Sequence, residues 1–398
     1  MARLCTCLNC IVPPHLLNKL LESSDREVRD AALGTLLATA RMRGERQALG
    51  PTAFSFSSPT GGRRTIFDCQ GSMVLGNARV VRSDSAPPVP DDAVNEAYDG
   101  LTATREFYSS VFQRDSIDGN GMRLDAYVHY GTAHNNAYWN GRQMLFGDGD
   151  GVVFTGFTKS LDVIGHELTH GVTEYSAGLE YHNQPGALNE SISDVFGSLI
   201  KQKVLNQTAE EADWLIGTEI FTPGIEADAL RSMKAPGTAY NNPMFGRDPQ
   251  PDHMNRFAQL PDTERGDWGG VHINSGIPNK AFYLVATAIG GFAWEAAGHI
   301  WYEALCASSP TTEFQDFAET TCAKAEHLYG GGSVELDAVR TAWRDVGIRV
   351  SGASAKAPPA GRSSRGDEEI GGLAKRIDAL TLQVKGLAKE VSALKARK

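Results

Sequence analysis

The sequence predicts an α+β fold, with a β-rich N-terminal half, a mainly helical C-terminal half and a further helix at the C-terminus. Short runs rich in β-branched and aromatic residues, bounded by turn residues, are typical of strands and occur between residues 56 and 158. Apolar residues spaced three and four apart are typical of helices and dominate residues 159–350. At 398 residues, the chain is long enough to form more than one domain.

The first segment, residues 1–55, is predicted to hold two short amphipathic helices and the start of an exposed link. Apolar side chains share one helical face at residues 16–21, and the same spacing recurs at residues 28–37. The link over residues 49–62 is rich in Gly, Pro, Ser and Thr, so we expect it to be exposed and easily cut.

The two halves of the body differ in their periodicity. In residues 56–158, strand patterns cover residues 65–68, 78–81, 124–130 and 144–146, and one helix is predicted over residues 91–112. Residues 159–350 open with a helix over 159–175, for which Ser160 is the predicted N-cap. Further helices are predicted over residues 187–204, 277–293, 292–305, 314–329 and 334–346.

The C-terminal region differs in composition from the rest. Residues 351–372 are rich in Ser, Ala, Gly, Pro and Arg and are predicted to be a disordered linker. Residues 373–398 place β-branched residues and leucines at alternating spacings of four and three, which favours a parallel two-stranded coiled coil. We therefore expect a homodimer through residues 373–394. A single amphipathic helix packed on the main body is the alternative.

The totals exclude several classes of partner. A net charge of −10 argues against a nucleic-acid partner, which requires a basic face. No apolar run approaches the ~20 residues of a membrane span, so no membrane partner is expected. The N-terminus lacks the apolar core and cleavage site of a secretory signal, so we expect synthesis into the cytoplasm. Cys69, Cys306 and Cys322 are predicted to be free thiols or core residues, with a disulfide between Cys306 and Cys322 as the alternative.

The pattern H-E-x-x-H occurs within the helix predicted over residues 159–175, as His166-Glu167-Leu168-Thr169-His170. Residues four apart lie on one helical face, so both imidazoles can point at one metal ion. Glu167 lies beside them, where it can reach a water on that metal. Zinc held in this way needs a third protein ligand and an open position for water.

Glu190 is the predicted third ligand. It lies on the next predicted helix, after a turn long enough to bring the two helices antiparallel. Asp194, one turn further along, can accept a hydrogen bond from a ligand histidine and fix its tautomer. The alternative is that both carboxylates belong to a solvated acidic helix face.

Several motifs in register resemble the thermolysin family of neutral zinc metallopeptidases, over roughly residues 66–346. They are Asn135-Asn-Ala-Tyr-Trp-Asn140, Gly147-Asp-Gly-Asp-Gly151, His166-Glu-Leu-Thr-His170, Gly186-Ala-Leu-Asn-Glu-Ser-Ile-Ser-Asp194, Leu230-Arg-Ser-Met233 and Gly269-Gly-Val-His-Ile-Asn-Ser-Gly276. The stretch Cys10-Ile-Val-Pro-Pro-His15 resembles the short propeptide of the protealysin-like branch. The resemblance implies a thermolysin-like two-domain fold with zinc at the junction of the halves, and a zinc endopeptidase made as a zymogen.

The resemblance also implies a role for each matching residue. The zinc ligands would be His166, His170 and Glu190, supported by Asp194 and Asn189. The catalytic residues would be Glu167, His272, Tyr181 and Asp267. Glu167 would take a proton from water activated by zinc and pass it to the leaving amine. Tyr181 and His272 would stabilise the developing oxyanion by ~3–4 kcal/mol per donor, and Asp267 would orient His272.

The substrate cleft is implied in the same way. Asn136 and the Ala137 carbonyl would hold the substrate backbone, and Arg231 would hold a substrate carbonyl. The pocket for the residue after the scissile bond, the P1′ residue, would be lined by Phe154, Phe157, Val163 and Leu230. The resemblance therefore implies cleavage of peptide or protein substrates before a bulky apolar residue.

Each of these residues also has a plainer explanation. Tyr181 would be a half-buried tyrosine, His272 a satisfied core histidine, and Arg231 a member of an ordinary ion pair. For the whole chain, the alternative is a catalytically silent binding or scaffold protein, oligomerised by the coiled coil. Such a protein has little reason to keep Glu167, His272 and Tyr181 together, so the sequence favours the enzyme.

Two features depart from the family. Calcium-stabilised members surround a double calcium site with carboxylates, whereas here Asp162 and Asp213 match but Lys201, Leu215 and Thr218 replace expected acidic residues. We therefore expect no double calcium site, while the turn over residues 221–228 leaves a single calcium open.

The cysteines Cys5, Cys7 and Cys10 are the second departure. One of these thiolates could cap the zinc in the precursor; surface thiols or adventitious metal binding are the alternatives. Because relatives are largely secreted, an extracellular final location also stays open.

Overall fold

The computed structural model describes residues 9–49 and 63–350 of the chain. The predicted linker over residues 351–372, the coiled-coil tail over 373–398 with its homodimer, and Cys5 and Cys7 lie outside the described residues. Among the residues that are described, no helix has the length and apolar character needed to span a membrane.

A six-stranded mixed sheet forms the centre of the N-terminal half. Its strands are β1 (Asn9–Cys10), β2 (Arg64–Asp68), β3 (Arg79–Ser83), β4 (Leu124–Val128), β5 (Ala137–Trp139) and β6 (Gln143–Phe146), in the order β1-β5-β6-β4-β2-β3. Strands β2, β4 and β6 run parallel, and β1, β3 and β5 pair antiparallel with their neighbours. The sequence does not predict β1, because two residues are too short for an alternating pattern.

The remaining elements of the first half are helices. They are α1 (Pro14–Leu20), α2 (Arg26–Leu49) and α3 (Asp92–Phe112). Helix α3 starts where the sequence predicts, because the Asp91 side chain accepts a hydrogen bond from the Val94 amide. Helix α2 is longer than the apolar pattern over residues 28–37.

The second half is mainly helical, as the sequence predicts. Its helices are α4 (Leu161–Glu174), α5 (Asn183–Leu205), α6 (Asp267–Asn274), α7 (Gly276–Ile289), α8 (Ala296–Ala307), α9 (Phe314–Tyr329) and α10 (Val334–Asp345). Four two-residue strands form two small ribbons: β7 (Leu215–Ile216) with β8 (Arg231–Ser232), and β9 (Asn241–Asn242) with β10 (Gly246–Arg247). Helix α7 ends four residues before the predicted 293, since Gly290 adopts a φ of 77°.

Helices α4 and α5 approach each other closely at two glycines. A Cβ on Gly197 would lie 2.5 Å from the Asp162 carbonyl oxygen, and a Cβ on Gly165 would lie 3.1 Å from the Gly197 Cα. Larger side chains at these positions would push the helices apart. The two glycines therefore set the distance between the H-E-x-x-H helix and the helix that carries Glu190.

Residues 9–49, called here the N-terminal segment, are docked on the rest of the molecule. The Arg46 guanidinium lies 2.9 Å from Glu174 at the end of α4, and both side chains are more than nine-tenths buried. Burial raises the pKa of Glu174, and Arg46 opposes that shift. The Thr39 hydroxyl also lies 2.8 Å from the Tyr138 hydroxyl of β5. Polar contacts thus fix α2 against both the sheet and α4.

Candidate active site

Three side chains from α4 and α5 converge in the interior. His166, His170 and Glu190 place their ligand atoms within 4.8 Å of one another, and all three residues are fully buried. The two Nε2 atoms are 3.0 Å apart, and Glu190 carboxylate oxygens lie 3.5 and 3.4 Å from them. The solvated acidic face that was the alternative for Glu190 is therefore wrong.

The outer nitrogens of both imidazoles are already engaged. The Nδ1 atoms of His166 and His170 lie 2.8 Å from Asp194 Oδ1 and Asn189 Oδ1, to which they can donate. This leaves both Nε2 lone pairs directed at one point, where they would repel each other without a cation between them. Glu190 Oε2 is also buried with no hydrogen-bond partner among the described residues. Two nitrogens and a carboxylate in this arrangement fit zinc.

Glu167 lies beside this triad and is itself fully buried. Its Oε2 accepts a hydrogen bond of 2.9 Å from the Trp139 amide of β5, while its Oε1 has no partner among the described residues. Burial raises the pKa of Glu167 well above its usual range, and the charge of Glu190 adds to the shift. The carboxyl is therefore oriented by one oxygen and able to accept a proton on the other.

Tyr181, His272 and Asp267 form a hydrogen-bonded chain on the other side of Glu190. The Tyr181 hydroxyl donates to Glu190 Oε1 and lies 3.2 Å from His272 Nε2. The His272 Nδ1–H donates to Asp267 Oδ1 at 2.6 Å. Burial would lower the pKa of His272, but Glu190 and Asp267 raise it well above its ordinary value. The ring is thus held as a proton donor at Nε2.

Arg231 belongs to an ion pair and also binds a backbone carbonyl, so the two explanations offered for it are compatible. Its guanidinium makes two hydrogen bonds of 2.8 Å to Asp194, the carboxylate that also holds His166. Burial opposes ionisation of Asp194, yet Arg231 and His166 hold its pKa well below the usual range. The third contact of Arg231 is the Ile11 carbonyl oxygen, 3.0 Å from its Nη1.

Residues 9–12 of the N-terminal segment lie along β5, beside the residues expected to bind a substrate. Cys10 pairs with Tyr138, and the Ile11 amide donates to the Ala137 carbonyl at 3.4 Å. Asn136 contacts the next residue twice, through its Oδ1 to the Val12 amide and its Nδ2 to the Val12 carbonyl. The groups expected to hold a substrate backbone therefore hold residues of this same chain.

The residue expected to stabilise the oxyanion, His272, contacts the same strand. His272 Nε2 lies 3.0 Å from the Cys10 carbonyl oxygen, one residue before the carbonyl that Arg231 holds. The peptide bond between Cys10 and Ile11 thus lies between His272 and Arg231. The side chains expected around P1′, Phe154, Phe157, Val163 and Leu230, are at most 2% exposed and share one apolar core with Ile11.

The described cysteines do not support two of the sequence-based alternatives. Cys10 Sγ contacts the Val12 carbonyl at 3.7 Å and packs in a small apolar cluster with Tyr138 and Leu145. It is not part of the metal-binding triad, so the structure does not support a Cys10 cap. Cys306 and Cys322 are free thiols, which removes the disulfide alternative.

Lys201 takes the centre of the acidic cluster that includes Asp162 and Asp213. Its Nζ lies 3.1 Å from Asp162 Oδ2, 3.0 Å from Asp213 Oδ2 and 3.4 Å from the Leu215 carbonyl. The Ser160 hydroxyl points into the same cluster, 2.7 Å from Asp162 Oδ1, and makes no cap bond to α4. Ser160 is the N-cap residue of α4, as the sequence predicts, but its hydroxyl bonds to Asp162 rather than to a backbone amide of the helix.

Sequence reasoning missed some residues that shape the site. The Trp139 amide orients Glu167, and Asn279 Nδ2 donates to Asp194 at 2.9 Å. Ser193 Oγ lies 3.0 Å from His170 Nδ1, whose N–H can donate to Asn189 Oδ1. Trp139 and Ser193 lie within motifs that the sequence analysis identifies, but a backbone amide carries no side-chain signal and Asn279 lies in no motif.

Comparison with known proteins agrees with this geometry. The family described as thermolysin metallopeptidase, catalytic domain, matches residues 64–174, and thermolysin metallopeptidase, alpha-helical domain, matches residues 177–348. An "Extracellular metalloprotease" of Pectobacterium carotovorum subsp. carotovorum is 44% identical over 342 residues, which cover 85% of this chain and 96% of that protein. "Protease PrtS" of Photorhabdus sp. (strain Az29) is 45% identical over 347 residues, covering 85% and 92%.

A solved structure is similar to this chain over most of its length. The precursor of protealysin, a metalloproteinase from Serratia proteamaculans, has a TM-score of 0.76 and 46% sequence identity. The match covers 85% of this chain and 99% of that one. The chain therefore belongs to the thermolysin family of zinc metallopeptidases.

Proposed function

We propose that this zinc endopeptidase is made as a zymogen, with Glu167 as its general base and the N-terminal segment as the element that keeps it latent. The observation that supports this most directly is the strand in the cleft. The groups expected to bind a substrate, Asn136, Ala137, Arg231 and His272, all hold the backbone of residues 10–12. A peptide substrate cannot use these groups until that strand leaves.

In the proposed mechanism each side chain has one task. Zinc bound by His166, His170 and Glu190 would supply Lewis acidity and lower the pKa of water. Glu167 takes a proton from the attacking water on its free Oε1 and passes it to the leaving amine.

The oxyanion is stabilised from the opposite side. His272 and Tyr181 donate hydrogen bonds to the carbonyl oxygen as negative charge develops on it. Asp267 accepts a hydrogen bond from His272 Nδ1–H and stabilises the charged ring, which has a second proton on Nε2 to donate. Asp194 has a positioning role, since it holds both a zinc ligand and Arg231.

The strand in the cleft also supports the expected specificity. Ile11 follows the peptide bond nearest to His272, so it takes the place of a P1′ residue. Its side chain is fully buried in the core that contains Phe154, Phe157, Val163 and Leu230. We infer a preference for bulky apolar residues at P1′.

The domain boundaries follow from the same proposal. We assign residues 1–55 to the propeptide, 56–158 to the β-rich subdomain and 159–350 to the helical subdomain. The last residue of α2 is Leu49 and the first of β2 is Arg64, which supports a cut between these elements. Mass spectrometry of the mature N-terminus would locate that cut.

The test of the proposed function is proteolysis of casein by protein from which the propeptide has been removed. We expect activity that a zinc chelator removes and that added zinc restores. Glu190→Gln should lose both the metal and the activity, because it removes one of three ligands. A metal-loaded chain without activity towards casein and short peptides would instead favour the alternative of a catalytically silent scaffold protein, which the comparisons do not support.

Latency predicts the behaviour of Ile11→Asp in the full chain. This fully buried position belongs to the apolar core, where a carboxylate is costly to bury, so docking of the strand should weaken by several kcal/mol. We expect the activity of the unprocessed precursor towards a peptide to rise by at least about tenfold. Asn18→Asp adds the same charge on the exposed side of α1 and should leave the precursor latent. Equal activity of both variants would contradict the latency proposal.

An extracellular final location is also proposed. It rests on the names of relatives such as the extracellular metalloprotease of Pectobacterium. Mass spectrometry of separated cell and medium fractions should find the mature N-terminus in the medium. Mature enzyme confined to the cell fraction would contradict it.

A further inference from the structure

His15 is a titratable residue of the N-terminal segment that the proposed catalysis does not use. It lies in α1, directly after the strand in the cleft, and its ring is partly buried against the helical half. Its Nε2 lies 3.2 Å from the Tyr240 hydroxyl. Its Nδ1 is buried and has no hydrogen-bond partner among the described residues.

This environment accepts a neutral imidazole but not a charged one. The imidazolium has two N–H donors, and the surroundings offer an acceptor for only one of them. A buried donor without an acceptor costs roughly 1–3 kcal/mol, and more when it carries charge. Whichever nitrogen carries the proton of the neutral ring, a second proton therefore disfavours the docked state.

The charges around the ring act in both directions. Arg231 of β8 and His272 of α6 face it and oppose a further positive charge, whereas Asp267 of α6 favours one. Asp267 is already hydrogen-bonded to the His272 ring and amide. Burial is the main cause that lowers the pKa of His15 to about 4. His272 and Arg231 lower it further, whereas Asp267 raises it.

We propose that protonation of His15 releases the N-terminal segment from the cleft, so that mild acid relieves latency. This inference rests on the proposed zymogen function. Once the strand leaves, the ring returns to water, where a histidine has a pKa of about 6.5. Between about pH 6.5 and pH 4 the released form therefore binds more protons than the docked form.

The direction of the pH dependence follows. Docking is fully retained above about pH 6.5 and weakens progressively as the pH falls towards 4. If the pKa of His15 is about 4 in the docked form and about 6.5 in the released form, the equilibrium constant for docking is about 20-fold smaller at pH 5 than at pH 7. Tyr240 does not titrate in this range, because burial raises its pKa.

The test is hydrogen–deuterium exchange of residues 9–20 in the full chain, with Glu167→Gln present to prevent self-cleavage. We expect the protection factors of these amides to fall about 20-fold between pH 7 and pH 5. His15→Gln keeps an N–H group near Tyr240 but cannot become charged. In this variant the protection factors of residues 9–20 should be the same at pH 7 and pH 5. His327→Gln makes the same replacement on an exposed part of α9 and should follow the parent. An equal fall with and without His15 would overturn the proposal.

A titration of the native histidine covers the case in which His15→Gln fails to dock. In the full chain, the His15 ring signals in an NMR experiment should titrate near pH 4; titration near pH 6.5 would overturn the proposal. Neither measurement depends on peptidase activity. If acid releases the segment but the processed chain does not cleave peptides, the proposed function is wrong and this inference stands. If the processed chain cleaves peptides but docking does not depend on pH, only this inference is wrong.

Discussion

Glu167→Gln is expected to lower kcat/KM for peptide hydrolysis by about 10²–10⁴-fold while the zinc content of the protein stays the same. The amide cannot take a proton from the attacking water. It can still accept the hydrogen bond from the Trp139 amide, so the side chain should keep its place. Because His166, His170 and Glu190 are untouched, the loss should reflect the missing base alone.

Kinetics of the processed enzyme on a peptide, together with its metal content, would check this expectation. Glu180→Gln makes the same substitution at an exposed position and should retain full activity. A loss smaller than about tenfold in Glu167→Gln would remove Glu167 as the general base. A loss accompanied by missing zinc would mean that the carboxyl is needed for the metal rather than for proton transfer.

The parts of the site that the sequence predicts are those in which local spacing determines geometry. His166 and His170 share a face of α4 because they are four residues apart, and Glu190 with Asp194 does the same on α5. The contact between the two helices depends on Gly165 and Gly197, whose importance only the packed structure reveals.

What the sequence does not predict depends on contacts between distant parts of the chain. Strand β1 is two residues long and exists because β5, more than a hundred residues later, offers an edge. The interactions of His15 with Tyr240 and of Arg46 with Glu174 also join residues that are far apart in the sequence. No periodicity in residues 9–49 indicates which surface they cover, so the occupied cleft could only be found in three dimensions.

Lys201→Met is expected to lower the free energy of unfolding by about 3–5 kcal/mol. Lys201 is the ammonium in the centre of an acidic cluster, with Asp162 fully buried and Asp213 partly exposed beside it. Burial disfavours the charge, but Asp162 and Asp213 raise the pKa of Lys201 above its ordinary value. Without the ammonium, the donors left to Asp162 among residues 9–49 and 63–350 would be the Ser160 hydroxyl and the Gly217 amide.

Thermal or denaturant unfolding would measure this loss. Lys203→Met, two residues along α5 and outside the cluster, should change the stability by less than about 1 kcal/mol. A similar effect of both substitutions would show that the cluster does not depend on its lysine.

The same argument sets how the protein should respond to calcium. With Lys201 present, a bound divalent cation would meet an ammonium already held by three oxygen-bearing groups, so we expect a calcium chelator to leave the unfolding temperature unchanged. Lys201→Glu instead adds a carboxylate beside Asp162, Asp213 and Glu219, and the stability of this variant should rise with added calcium. Calcium-dependent stability that is equal in the unaltered chain and in Lys201→Glu would contradict the role given to Lys201; a weaker dependence in the unaltered chain would indicate a separate site at the oxygen donors of residues 221–228.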